Sequence, residues 1–369
     1  MIAHTLLALA LSQTPTLDAG TMAPPDTATS SSWTEKITFS GFSRVMFGVT
    51  VPFNDEQLVG SNGGFRVADL RLAAEVKPVD KIRVVASLEL SAAQQLASDP
   101  QSGQRAVELR DGFIEYAAHR FAVVRAGQFR PPYYVEMMVS DGEIPFTGRS
   151  VVASGINSPE GFGPREGIAP DRQVGVQVAS EKIGGESVNV RYAVGVFNGN
   201  GQNTLFNDNN AVAPFGRVEV GFAKIASIGV NGYQNTRSIG VRPNRLFSND
   251  VGYGADVSVK ISGFTAITGF LGRSSTYQGG VLSPETANGI LAQAGYVHES
   301  SGFEGAARVA RLEPSSAQVD DQVTEITVMA GWRILGGPAR LILEYRQRVE
   351  EPAASIDNNS VNAMIHLVF

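Results

Sequence analysis

The feature that most constrains this chain is a period of two that persists almost to its last residue. In segment 82–90, IRVVASLEL, Ile82, Val84, Ala86, Leu88 and Leu90 share one face, while Arg83, Ser87 and Glu89 lie on the other. Segment 188–196 sets Val188, Val190, Tyr192, Val194 and Val196 against Asn189, Arg191 and Gly195. Segment 339–346 sets Ala339, Leu341, Leu343 and Tyr345 against Arg340, Glu344 and Arg346. Such alternation marks strands with one apolar face, and helical spacing fits none of these segments.

The same test along the chain yields about sixteen strands of roughly nine to twelve residues. They centre on 37–49, 65–77, 81–91, 106–116, 121–130, 172–181, 187–197, 214–222, 227–235, 252–261, 264–273, 289–298, 303–312, 324–334, 338–348 and 360–369. The links between them alternate. Tight ones fall near 78–80, 117–120, 182–186, 223–226, 262–263, 299–302 and 335–337. Long polar ones fall at 51–63, 92–105, 131–171, 198–213, 236–251, 274–288, 313–323 and 349–359. A soluble β-sandwich also alternates, but its strands average about five or six residues and its loops follow no odd–even rule. Short turns on one rim and long loops on the other describe a transmembrane antiparallel β-barrel, with the termini on the short-turn, periplasmic side.

Composition removes several other classes. With no Cys there is no disulfide framework, thiolate metal site or Cys nucleophile. A net charge of −6 argues against a nucleic-acid partner, which calls for a basic face. No apolar run of about 18 residues follows the leader, which excludes a membrane helix but not membrane strands. Residues 1–12 read as a signal peptide with an apolar stretch from Leu6 to Leu11. Residues 13–35 read as a Ser/Thr/Pro-rich flexible spacer, and 36–369 as the barrel.

The chain closes on VNAMIHLVF, placing Ile365, Leu367 and the terminal Phe369 on one face. Outer-membrane barrels end in this way, and the resemblance implies a C-terminal signal for the barrel-assembly machinery. Outward aromatics gather at the short-turn ends: Tyr116, Phe222, Phe264, Tyr296, Phe303, Trp332 and Phe369. Rings at one depth suit an interfacial girdle facing outer-membrane lipid.

Several segments are similar to the phosphate-selective porin O/P family of Gram-negative outer membranes. They are FRVADLRLAAEVKPVDKIRV (65–84), ELRDGFIEY (108–116), VRAGQFRPPY (124–133), GRSVV (148–152), DRQVGVQV (171–178) and YAVGVFNGNG (192–201). The resemblance implies a sixteen-stranded, trimeric porin whose third long loop folds into the lumen as a constriction. The 131–171 link is the longest in the chain, which independently suits that role.

A channel acts through its inward side chains. Arg44, Arg71, Arg191, Arg217 and Arg308 stand about five or six residues above the periplasmic turns, a height near mid-membrane. They form a candidate basic belt. Inward acids are almost as numerous, so cross-strand pairing is the competing expectation, and a ring of mixed sign sets little ion selectivity. The candidate constriction loop holds Glu136, Asp141, Glu143, Glu160, Glu166 and Asp171 against Arg149 and Arg165, six acids to two arginines, a net charge of −4. An acidic constriction repels phosphate, so anion and cation preference stay open.

Catalysis finds little support. Of four His residues only His366 faces the lumen, and spacing puts no Ser or Asp beside it. No HxxxH or HExxH pattern occurs, and 199–210 lacks the acidic spacing of a calcium loop. The sequence therefore predicts a non-enzymatic outer-membrane porin without cofactor, passing small hydrophilic solutes or ions such as phosphate. The alternative is a plugged barrel serving as a structural scaffold.

Overall fold

The computed structural model describes residues 36–51, 64–92, 105–156, 165–201, 203–204, 206–239, 245–280, 282–334, 337–350 and 359–369. The expected signal peptide and spacer, and Glu160, lie outside the described residues.

Strands β1 (Ile37–Val51), β2 (Gly64–Val79), β3 (Ile82–Ala92), β4 (Arg105–His119) and β5 (Ala122–Phe129) form an antiparallel meander. A long loop follows, carrying two single-turn helices, α1 (Val135–Met138) and α2 (Val151–Ser154). It also carries a two-residue pairing of β6 (Gly155–Ile156) with β7 (Arg165–Glu166). The meander resumes with β8 (Gln173–Ala179), β9 (Ile183–Gly184), β10 (Val188–Phe197), β11 (Ala213–Phe222) and β12 (Ala226–Ile239). Then come β13 (Leu246–Ile261), β14 (Phe264–Tyr277), β15 (Glu285–Val297) and β16 (Phe303–Glu313). The last are β17 (Val323–Ile334), β18 (Ala339–Glu350) and β19 (Asn359–Val368). Both β8 and β9 pair with β10, so together they make one interrupted strand. The sheet closes where β1 pairs with β19, and Gly41 and Phe369 exchange backbone hydrogen bonds of 2.7 and 3.0 Å. The result is a closed, 16-stranded antiparallel barrel with no free edge.

The alternation resolves into an outside and an inside. Outward Leu72, Ile114, Val194, Val230, Ile290 and Leu343 are exposed, whereas inward Asp69, Glu89, Arg217, Arg308 and Glu344 are buried. An apolar exterior around a polar interior is the inverse of a soluble protein and belongs to a lipid-embedded barrel. The seven aromatics of the expected girdle are all exposed at the short-turn end. Turn geometry fits the strand twist: Ser262 and Gly263, both at positive φ (42° and 82°), join the paired Ile261 and Phe264 in a two-residue hairpin.

The structure departs from the expected strands in two instructive ways. Strand β13 begins at Leu246, six residues before the expected 252, and β14 runs to Tyr277, four past the expected 273, so both exceed the length a bilayer needs and rise on the long-loop side. Bulges also interrupt two ladders. Arg44 pairs with Asp69 and Val45 with Val67, leaving Ala68 unpaired. Ser87 pairs with Asp111 and Leu88 with Leu109, so Arg110 is the extra residue of β4 at the register shift. A bulge breaks the in–out alternation, and the second one turns Arg110 and Asp111, neighbours in sequence, both into the lumen.

The lipid-facing assignment makes a quantitative claim. Leu343→Arg, near mid-depth on β18, is expected to destabilise the folded barrel by about 2–4 kcal/mol, and Leu367→Arg at the rim by about 0–1 kcal/mol. Denaturant unfolding in lipid vesicles checks both; equal effects would contradict the assigned depth.

Candidate constriction site

Irregular backbone lowered into a barrel carries N–H and C=O groups that cannot join a ladder, and each must find a partner. Here inward arginines supply them. Arg217 donates to the Tyr133 carbonyl at 3.0 Å, and Arg308 to those of Gly148 (3.0 Å) and Arg149 (3.3 Å). Arg340 donates to Ile144 (3.3 Å) and Pro145 (3.4 Å), and Arg44 to Asp141 (3.4 Å) and Thr147 (3.5 Å). In the other direction, the Thr147 N–H donates to Glu344 at 2.7 Å. Glu136 accepts from the Ser150 N–H at 2.7 Å and from its hydroxyl, so the loop also ties to itself.

Each of these arginines is aimed by a carboxylate on the wall. Asp69 holds Arg44 by two contacts, Asp256 holds Arg217 (2.6 and 2.7 Å), Glu325 holds Arg308 (3.0 Å) and Glu304 holds Arg340 (2.7 Å). Two of the pairs span an intervening strand, and a glycine makes room each time. The Arg217 guanidinium passes over Gly229 of β12 to reach Asp256 on β13. Glu304 on β16 leans over Gly331 of β17 towards Arg340 on β18.

Other loop residues dock by apolar contact. Tyr133, Tyr134, Met137, Val151, Val152 and Ile168 of the loop are buried in one cluster with Phe129, Phe197, Phe215, Tyr233, Leu291 and Leu312 of the wall. Glycines again set the approach. A methyl group on Gly269 would stand 2.7 Å from the Tyr134 ring, and one on Gly289 2.7 Å from Val152. Tyr133 and Tyr134 are fully enclosed, and burial pushes both phenols well above their ordinary value. A smaller cluster seats the loop tip, with Phe146 against Met46, Met329, Ile342 and Met364.

Asp141 is the hub of the tip. Its carboxylate meets Arg71 (2.7 Å), Arg130 (3.1 Å) and Arg149 (2.6 Å), so one acid joins wall strand β2, the loop's first residues and its returning limb. Burial opposes its charge, but those arginines together with Arg172 hold it well below the usual carboxylate range. Arg130, buried and crowded by Arg149, is pulled down to about 10.

The structure places the sequence-derived candidates as follows. Arg44, Arg71, Arg217 and Arg308 are buried. Arg71 pairs with Glu89 as well as Asp141, and the half-buried Arg191 pairs with Glu219. Of the loop residues, Glu136, Asp141 and Arg149 face the packed interior, Glu143 is exposed, and the side chain of Asp171 is 40% exposed beside Arg130 and Arg172. Arg165 and Glu166 pair through their backbone with Ile156 and Gly155, and their side chains lie outside the described residues. Ile365, Leu367 and Phe369 face outward. His366 is buried against the Phe42 ring and 3.4 Å from Arg340.

No family model matches the chain, and no curated protein is similar to it in sequence. Solved structures are. The outer membrane channel DcaP of Acinetobacter baumannii matches over 90% of this chain and 97% of its own, with a TM-score of 0.58 and 15% identity. OmpT, an outer membrane protein of Vibrio cholerae in a trimer form, matches over 90% and 99% with a TM-score of 0.55 and 11% identity. A refined porin structure matches over 90% and 100% with a TM-score of 0.51 and 12% identity. The fold is that of the outer-membrane porins. At these identities the likeness is one of architecture, and it does not single out the phosphate-selective O/P family.

Two measurements probe the docking. Gly289→Val, which drives a side chain into Val152, is expected to lift α2 off the wall and raise proteolytic cleavage of the loop, with the barrel's strand signal in circular dichroism unchanged. Asp141→Asn leaves converging guanidiniums without their carboxylate and is expected to cost about 3–5 kcal/mol of loop docking. The wild-type hub has the opposite exposure to pH. A carboxyl depressed on folding contributes fully above its unfolded value, near 4, and loses that contribution only as pH falls towards its lower folded value. Protease resistance of the wild-type loop should therefore persist at pH 5 and decline below about 4, whereas the Asp141→Asn loop should be cleaved at neutral pH.

Proposed function

We propose that this chain is an outer-membrane porin through which small hydrophilic solutes diffuse passively past the 131–171 loop. The observation that carries the proposal is a closed barrel with a charged inner face and a loop fastened inside it by wall arginines. Selectivity by charge is expected to be weak. Four of the five belt arginines are committed to carboxylates and to loop carbonyls or the Asp141 hub, and Arg191 is paired with Glu219, so the belt presents no uncompensated ring to attract phosphate or any other anion. Sieving by the seated loop supplies the discrimination instead.

The outward recess lined by Phe47, Phe65, Trp332, Leu343 and Ile365, together with the trimer form of one structural neighbour, supports a homotrimer embedded in lipid. The aromatic terminus, Phe369, is suited to recognition by the barrel-assembly machinery.

Planar-bilayer recording of the refolded protein is the deciding experiment. Steady conductance with a reversal potential close to zero under a KCl gradient is the expected result. A strongly anion-selective potential would restore the basic belt as a filter. Silence from a demonstrably folded barrel would favour the scaffold, for which the dense packing of loop against wall is the supporting observation.

A further inference from the structure

The two sides of the lumen are unlike, and the difference locates the water-filled route. Between the loop and strands β10–β17 the contacts are closed: Leu291 is 2% exposed, Leu312 and Val323 are fully buried, and the arginines among them, Arg217 and Arg308, are buried and spent on loop carbonyls. Along β2–β5 the inner face is ionic and only partly covered. Asp171 at the loop's end has a side chain 40% exposed, and Asp111 on β4 has one 23% exposed. Nearer the periplasmic turns, Arg83 on β3 and Glu75 on β2 retain 29% and 31%. Bidentate pairing of Arg172 with Asp111, at 2.9 and 3.0 Å, fixes the upper part of this face. The bulge at Arg110 adds a second charge there, bridged to Glu89 at 3.3 Å and to Asp171 at 3.6 Å.

We infer that permeation past the loop is off-centre, running down the inner face of β2–β5 past Asp171 and Asp111 to Arg83 and Glu75, while at the level of the loop the half of the lumen against β10–β17 is sealed. The inference rests on the channel proposed above and specifies which residues a solute meets. Asp171 is then a specificity-determining residue. Its removal exposes the neighbouring Arg110, Arg130 and Arg172 to the passing solute and shifts preference towards anions.

The chain has no Cys, so single-cysteine variants give a clean test. Asp171→Cys and Arg83→Cys lie on the route and Leu291→Cys in the sealed half, each refolded as the full barrel in lipid and verified by circular dichroism. A water-soluble methanethiosulfonate is expected to label the first two readily and the third about tenfold more slowly or less, because labelling there waits for local opening. In bilayer recordings, Asp171→Cys should shift the reversal potential towards anions. A sulfonate-bearing adduct should reverse that shift, and an ammonium-bearing one should extend it. Equal labelling in both halves, or adducts at position 171 that leave the current and the potential unchanged, would overturn the route. If the unmodified barrel passes no current, the channel itself fails, and the labelling ratio still decides which half of the lumen is open to water.

Discussion

Everything inside this barrel depends on one requirement: backbone that is not in a ladder, enclosed by a wall, must still be hydrogen-bonded. Among its described residues, the loop crossing the lumen has no regular structure long enough to satisfy itself, since α1 and α2 are single turns. Arginine meets the requirement well because one planar fork can serve a carboxylate on the wall and a carbonyl on the loop at the same time. Arg217 does so with Asp256 and the Tyr133 carbonyl, and Arg308 with Glu325 and the Gly148 carbonyl. Lysine presents a compact ammonium without that fork, which accords with a chain of 30 basic residues containing only six Lys, at 36, 77, 81, 182, 224 and 260.

The loop is seated by two different kinds of force. Against β10–β17 it is held by burial of rings and branched chains, a contact that excludes water and is little affected by salt. Against β1, β2 and β18, and at Arg217 of β11 and Arg308 of β16, it is held by charge-assisted bonds, which fix position more narrowly but need every partner present. Glycine serves both. Gly269 and Gly289 admit the loop's apolar side chains, while Gly229 and Gly331 let ion pairs cross a whole strand. The high glycine content thus includes positions where absence of a side chain is what allows the loop and the ion pairs to fit.

Much of the wall was legible in the sequence because a strand's side chains alternate without exception until a bulge intervenes, so Leu88 and Glu89 announce their faces directly. The long extracellular ends of β13 and β14 were less legible, since beyond the bilayer neither face needs to be apolar and the alternation fades. The interior of the lumen was harder still. Arg44, Arg71, Arg217 and Arg308 could be placed facing inward, but no periodicity tells whether an inward arginine meets water, an acid or a carbonyl of a loop 100 residues away. Arg340 and Glu344 could likewise be placed facing inward, but Arg110, Arg130 and Arg172, which share in the fastening, carried no distinguishing pattern. One signal did exist. Tyr133–Tyr134 and Val151–Val152 are large apolar pairs in what should be a wet loop, and only a buried docking surface accounts for them.

The charge of the constriction also follows from geometry rather than from counting. Summed by sequence, the 131–171 loop is acidic, yet its acids are distributed to opposite tasks. Glu136 is consumed within the loop by Ser150, and Asp141 is surrounded by arginines from three directions, so neither projects a field into the lumen that a solute would sense in full. Glu143 and Asp171 are left at least partly in water, and three arginines lie around Asp171. The local potential on that face is set by the balance of a few mutually screening groups, which is why a single substitution at position 171 can change it when the loop's net charge says nothing about its sign.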